Sequence, residues 1–88
     1  KQIQLILVTT PTWHSYYEHL DKHQLDQLLS TAKELDNNHE NVFYFNFLKD
    51  DRFNDNDFKD GDHLSEEGAE KFTKILKDSI RHKLDIEL

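Results

Sequence analysis

Residues 3–9 read Ile-Gln-Leu-Ile-Leu-Val-Thr, and this nearly continuous apolar stretch decides the fold class. Such a run is typical of a strand that is buried on both faces, as in a parallel sheet. Pro11 ends the strand, because proline has no amide hydrogen to donate to a neighbouring strand. We therefore predict a strand over residues 3–9, followed by an aromatic connection over residues 13–20 that contains a helical turn.

A helix and a second strand are predicted next. Asp21 is the expected N-cap, with Gln24 three residues later as in a capping box. Five apolar residues then fall on one helical face: Leu25, Leu28, Leu29, Ala32 and Leu35. Asn37 and Asn38 are suited to ending this helix. Residues 41–48 are rich in aromatic side chains and predict the second strand.

The last element is a helix that follows an acidic loop over residues 49–62. Ser65 is the expected N-cap, and Glu66 and Glu67 place negative charge in the first turn, where the helix dipole favours it. The predicted buried stripe consists of Ala69, Phe72, Ile75, Leu76, Ile80 and Leu84. The order β-α-β-loop-α predicts a right-handed crossover with two parallel strands. In open α/β sheets the chemistry lies beyond the carboxyl ends of the strands, so the acidic loop is the place to look for a site.

The composition restricts the function. A net charge of -7 argues against nucleic acid as a partner, because binding phosphates requires clustered basic residues. No apolar run approaches the about 20 residues that cross a bilayer. The chain has no cysteine, and its 35% hydrophobic share is below the about 45–50% usual for a globular domain. We therefore expect residues 1–88 to be one portion of a larger domain, whose exposed apolar strands associate with each other when the portion is isolated.

The segment with the strongest chemical signal is Asp60-Gly-Asp-His63-Leu-Ser-Glu-Glu-Gly68. An Asp three residues before a His, on a loop that enters a helix, can place its carboxylate beside the imidazole Nδ1 atom. That contact fixes the tautomer and leaves Nε2 to take a proton from a hydroxyl. The spacing alone is a weak signal, since a solvated loop whose acids cap the helix has the same pattern.

The block Asp-x-x-His-Leu-Ser-x-x-Gly-Ala-x-x-Phe resembles the C-terminal block of SGNH/GDSL hydrolases. Leu-Val-Thr-Thr-Pro, residues 7–11, is similar to the strand before the penultimate helix in a bacterial subgroup of that family. The likeness covers nearly the whole chain, but only residues 60–68 are specific. It implies a fragment of a three-layer, flavodoxin-like parallel-sheet fold. It also implies that Asp60 and His63 complete a Ser-His-Asp triad acting on acyl esters, with no cofactor.

The resemblance is incomplete, because the family's nucleophile lies in an earlier Gly-Asp-Ser-like block that this chain does not contain. Its oxyanion donors come from earlier blocks as well. We therefore expect the chain alone to be inactive and to be the C-terminal part of a serine esterase, deacetylase or acyltransferase. Substrate-pocket candidates follow the first strand: Thr10, Trp13 and Tyr16. Tyr17 lies beside them and is expected to close the core instead.

The residues allow three alternatives to the hydrolase. A calcium loop with Gly61 at its sixth position would place Phe58 at a ligand position, where it cannot coordinate the ion. A zinc site could use His19 and His23, but Asp21 at the N-cap breaks their helical spacing. We therefore predict no metal. The remaining alternative is a non-enzymatic, acidic α/β interaction module that docks another chain through its apolar face.

Overall fold

A computed structural model describes residues 3–60 and 63–85. The chain is a mixed α/β protein with a two-stranded parallel sheet and two long helices. The elements are β1 Leu5–Thr9, α1 His14–Tyr17, α2 Lys22–Asn38, β2 Val42–Asn46, a short 3-10 helix Asp55–Asp57, and α3 Glu66–Leu84. The predicted β-α-β-loop-α order is confirmed at this level. Within the described residues, no helix is long and apolar enough to span a membrane.

The two strands pair in parallel, in a register that runs from Leu5 opposite Val42 to Thr9 opposite Asn46. Both strands are shorter than the predicted spans of residues 3–9 and 41–48. At the amino end, the side chain of Asn41 donates a hydrogen bond to the Ile3 carbonyl (3.0 Å), while its backbone carbonyl accepts the amide of Leu5 at 2.8 Å. At the carboxyl end, the side chain of Asn46 accepts from the amide of Leu48 at 3.0 Å. Such a local side-chain bond turns the chain out of the ladder.

The long helix α2 begins where predicted, because the Asp21 carboxylate accepts the amide hydrogen of Gln24 at 3.0 Å. Its apolar face is only partly covered. Ala32 is buried, but Leu28 is 58% exposed and Leu35 is 40% exposed. The expectation of a strand buried on both faces is likewise wrong for Leu5, which is 49% exposed. Within the described residues, no further helix or strand lies over α2 on this side of the sheet.

On the opposite face of the sheet, α3 packs through aromatic rings. Phe72 meets Phe47 edge-on, with ring centroids 5.3 Å apart. The ring centroid of Phe53 lies 6.2 Å from that of Phe72. Phe47 and Leu48 are each only 5% exposed, so the turn after β2 forms part of the core. Ala69, predicted to belong to the buried stripe, is exposed, because Gly68 is the residue of this turn that packs against the Asp57 backbone.

Candidate functional site

Asp60 and His63 lie on the loop between β2 and α3, at the carboxyl end of the sheet. The Nδ1 atom of His63 is 2.7 Å from Oδ1 of Asp60, so the predicted contact is present. The same oxygen accepts the backbone amide of His63 at 3.1 Å. Both side chains are accessible, 68% exposed for His63 and 55% for Asp60. One carboxylate therefore fixes both the backbone and the ring of the histidine.

The loop around this pair is folded back on itself. The amide of Lys59 donates to the carbonyl of His63 at 2.8 Å, and Phe58 forms an antiparallel bridge with Leu64. These bonds hold the two ends of the loop side by side, which keeps Asp60 and His63 within reach. Gly61 and Asp62 lie outside the described residues, and so does the calcium arrangement considered for Gly61.

The buried carboxylate of Asp57 anchors the loop. It is only 4% exposed, and its Oδ2 atom accepts from Nζ of Lys71 at 2.6 Å and from the amide of Asn54 at 2.8 Å. The hydrogen bond from Lys71 holds the pKa of the Asp57 carboxyl below its ordinary value, against the opposing effect of burial. Lys71 also donates to the carbonyl of Arg52 at 2.9 Å. A side chain of α3 thus fixes two points of the loop.

The backbone of Asp57 explains the glycine of the sequence block. A Cβ atom at Gly68 would lie 1.9 Å from the Asp57 carbonyl oxygen, so only glycine allows this approach. That carbonyl accepts the amide of Ser65 at 2.8 Å. The hydroxyl of Ser65 donates to the carbonyl of Asn56 at 2.7 Å and accepts the amide of Gly68 at 3.1 Å. The start of α3 is therefore locked onto the residues just before Asp60.

Sequence reasoning missed Asp57 and Lys71. Asp57 is one of several acids in the loop, and its spacing after Asn54 fits a capping box, which does not by itself indicate burial. A second signal in the sequence is that Lys71 lies three residues after Gly68, and therefore on the same side of α3. That spacing predicts a lysine facing the loop, but it does not predict which carboxylate the lysine meets.

Two of the three substrate-pocket candidates, Thr10 and Trp13, line different clefts. Trp13 lines a cleft of about 170 Å³ between the loops that follow β1 and β2, and its indole Nε1 donates to Oδ1 of Asp55 at 2.9 Å. Tyr17 lines the same cleft, with Nζ of Lys49 5.0 Å from the centre of its ring. Thr10 is exposed and lines a different groove, between β1 and α2. The side chain of Tyr16 lies outside the described part of the structure.

The other ionic contacts are consistent with structural roles. The hydrogen bond from the Arg52 side chain holds the pKa of Asp50 below its ordinary value, and Asp50 raises the pKa of Arg52 in turn. Among residues 3–60 and 63–85, no group of three His, Cys, Asp or Glu side chains is placed to hold a metal ion. His19 precedes α2 and His23 lies inside it, so the two do not share a helical face.

The Asp60–His63 pair has the geometry of a base and its orienting acid. A carboxylate at Nδ1 favours the tautomer that presents Nε2 as the proton acceptor, and it stabilises the imidazolium that forms. The nearest serine along the chain is Ser65, whose hydroxyl already bonds to two backbone groups. Ser79 donates to the Ile75 carbonyl at 2.8 Å. The described serine hydroxyls that make bonds thus serve the helices that carry them.

Known proteins add nothing to this geometry. No protein-family model matches the chain, no curated protein matches it, and no solved structure matches it.

Proposed function

We propose that this chain is the C-terminal part of a serine hydrolase of the SGNH/GDSL type, acting on acyl esters. The observation that supports the proposal is the 2.7 Å contact between Nδ1 of His63 and the carboxylate of Asp60. Its position after the second parallel strand, at the entry to the last helix, is the one the sequence resemblance implies. In the same proposal the sheet is part of a three-layer, flavodoxin-like fold.

The proposed roles follow from the protonation chemistry of the pair. A serine hydroxyl from another part of the parent protein attacks the ester carbonyl while Nε2 of His63 takes its proton. The imidazolium then protonates the departing alcohol, and an acyl-serine remains. Water attacks that acyl group, again losing its proton to His63, which returns the proton to the serine oxygen. Asp60 keeps its charge throughout and stabilises each imidazolium.

The first test uses the chain by itself, because the tautomer of His63 can be read without activity. Long-range 1H–15N spectra should show the proton of neutral His63 on Nδ1, as the Asp60 contact requires. Asp60→Asn should shift the tautomer population towards Nε2–H. His82, exposed on α3, is the internal reference. A neutral His63 that carries its proton on Nε2 in the unmodified chain would contradict the assignment.

The second test measures hydrolysis of p-nitrophenyl acetate by the parent protein, the isolated chain and two parent variants. The isolated chain should be inactive. His63→Ala should lower turnover by about three orders of magnitude or more, and Asp60→Asn should also lower it strongly. His82→Ala should leave turnover unchanged. Thermal unfolding of each variant separates a chemical loss from a folding loss, since an exposed loop histidine contributes little packing.

The competing proposal is a non-enzymatic interaction module, and one observation favours it. Leu28 and Leu35 are exposed beside an apolar groove of about 460 Å³ between β1 and α2. An exposed apolar surface of this kind marks a contact with another chain or another part of the same one. A folded parent protein with no esterase activity would favour the module over the hydrolase, whereas full activity after His63→Ala would show only that His63 is not the base.

A further inference from the structure

The buried pair of Asp57 and Lys71 takes no part in the proposed proton transfers. Nζ of Lys71 donates to Oδ2 of Asp57 at 2.6 Å, and the Asp57 side chain is almost inaccessible to solvent. Apolar side chains of similar size are often no less stabilising than a buried ion pair, because both charges lose their hydration on burial. What such a pair adds is direction, since its hydrogen bonds form only when donor and acceptor are aligned. It therefore selects one arrangement of the segments that carry it.

Asp57 lies at the base of a short hairpin, which runs from Asp57 to Ser65 and carries the Asp60–His63 dyad at its far end. The carbonyl of Asp57 accepts the amide of Ser65 at 2.8 Å, and the amide of Lys59 donates to the carbonyl of His63 at 2.8 Å. An antiparallel bridge lies between these two bonds. Three consecutive cross-strand contacts therefore lead from Asp57 to His63, so a displacement of the base moves the dyad.

Lys71 joins the base of this hairpin to α3. Besides its bond to Asp57, Nζ of Lys71 donates to the carbonyl of Arg52 at 2.9 Å and lies 5.5 Å from the centre of the Phe53 ring. That ring is 6.4 Å from the ring of Phe58, which belongs to the hairpin. One ammonium group thus ties α3 both to the hairpin and to the segment before it.

We propose that Lys71, acting through Asp57, is a positioning residue for the proposed reaction. It sets where Nε2 of His63 lies relative to α3, and therefore relative to the rest of the parent protein, without touching a reacting group. The inference rests on the proposed function, because this position matters for turnover only if Nε2 takes a proton. A displacement of about 1 Å at a reacting atom lowers turnover by up to about a hundredfold.

The motion of the hairpin can be measured in the chain itself from 15N relaxation, which reports on the folded state whatever its stability. In the unmodified chain the amides of Lys59 and His63 should have order parameters near about 0.85, as in a rigid backbone. Lys71→Met should lower both to about 0.6 or less and leave the amide of Phe47, which donates to a strand carbonyl at 2.8 Å, unchanged. Lys71→Arg keeps the charge and several donors, so it should restore most of the order. Lys74→Met, exposed on the same helix, should change nothing.

A double variant separates positioning from stability. Lys71→Met alone leaves a buried charge without its partner, whereas adding Asp57→Asn removes that charge and keeps an acceptor for the Asn54 amide. The double variant should therefore melt nearer to the unmodified chain, while its hairpin stays as mobile as in Lys71→Met. This variant also decides the test if Lys71→Met does not fold. A hairpin as ordered in the double variant as in the unmodified chain would overturn the proposal.

Kinetics of the parent protein test the consequence for the reaction. Lys71→Met and the double variant should each lower kcat for p-nitrophenyl acetate by about ten- to a hundredfold, with KM changed by less than about twofold. Lys74→Met should keep full turnover. A kcat that recovers in the double variant together with the melting temperature would overturn the positioning role. A parent without esterase activity, whose hairpin still loosens in Lys71→Met, would remove the proposed function and leave Lys71 as the residue that positions His63.

Discussion

The two faces of the sheet are built in different ways. On the α3 face, the loop after β2 is fixed by an ion pair between Asp57 and Lys71, by the close approach of Gly68 and by ring contacts of Phe72. On the α2 face, the helix has a good N-cap but leaves Leu28 and Leu35 exposed. The comparison shows that the candidate site is held by contacts within this chain, whereas on the α2 face Leu28 and Leu35 remain exposed among the described residues.

The two edges of the sheet also differ in how far their backbone groups are paired. On the outer side of β2, the carboxylate of Asp36 accepts the amide of Tyr44 at 2.9 Å, so α2 partly satisfies that edge. On the other side of β1 no strand is paired within the described residues. Unpaired strand edges and exposed apolar surface are where further chain segments or copies attach. Five predictions, from the largest effect to the smallest, test this contrast.

The most damaging change should be Gly68→Ala. The new Cβ atom would lie 1.9 Å from a backbone oxygen that cannot swing away like the end of a side chain, so α3 must separate from the loop. We expect a loss of about 2–4 kcal/mol in the free energy of unfolding, measured by urea denaturation. Glu70→Ala, an exposed substitution on the same helix, is the control and should cost almost nothing. Equal stability of the two variants would show that the close approach is not essential.

Loss of the buried ion pair should be the next largest effect. Lys71→Met keeps the length of the side chain but leaves the Asp57 carboxylate buried with one fewer donor, at a cost of about 2–3 kcal/mol. Lys74→Met, on the exposed side of α3, is the matched control. The long-range spectrum of His63 should also broaden or shift in Lys71→Met alone. An unaltered His63 spectrum would show that the loop keeps its shape without this anchor.

The pH dependence of stability should reveal the same pair. The pKa of Asp57 in the folded protein is lowered from the ordinary value of 3.8. Its contribution to the free energy of unfolding is therefore complete above pH 3.8 and is lost as the pH falls through the folded-state pKa. Urea denaturation at pH values from 6 down to about 2 should therefore show that the free energy of unfolding falls in acid. The fall should be smaller in Asp57→Asn. Asp50, whose pKa is also lowered, should account for part of the remaining decline. Identical acid profiles for both proteins would contradict the assignment.

Removal of the N-cap should have a moderate effect. Ser65→Ala removes the acceptor for the Gly68 amide and the donor to the Asn56 carbonyl, and N-cap losses cost about 0.5–2 kcal/mol. We expect about 1 kcal/mol, with α3 still formed in the circular dichroism spectrum. Ser30→Ala, exposed within α2, should be neutral or slightly stabilising because alanine is the better helix former. A greater loss for Ser30→Ala than for Ser65→Ala would contradict this account.

The smallest effect on stability should come from the exposed leucines of α2. Leu28→Lys combined with Leu35→Lys should change the free energy of unfolding by about 0.5 kcal/mol or less, because both side chains already meet solvent. Light scattering at several concentrations should show that the unmodified chain associates with itself and that the double variant does so less. A strictly monomeric unmodified chain that melts cooperatively would show that this face is more self-sufficient than its exposure indicates.

Much of the fold could be predicted from the sequence, because it depends on interactions between residues close together in the chain. The apolar run of β1, the cap at Asp21 and the cap at Ser65 each follow from patterns spanning a few residues. The Asp60–His63 contact belongs to the same class, since the two residues are three apart and one loop holds both. The end of β2 was less predictable, because it depends on how Asn46 uses its side chain.

Only the tertiary structure decided which distant groups meet. Trp13 reaches Asp55 across 42 positions, and Lys71 meets Asp57 in an acidic loop that offers several other carboxylates. The sequence also did not predict that Ala32 is buried while Leu28 is exposed. Periodicity indicates the apolar face of a helix but not which part of that face is covered. The sequence by itself determined the elements, their caps and the dyad spacing, through local steric and hydrogen-bond rules. The anchor of the loop, the cleft and the uncovered face depend on packing in space, which those local rules do not contain.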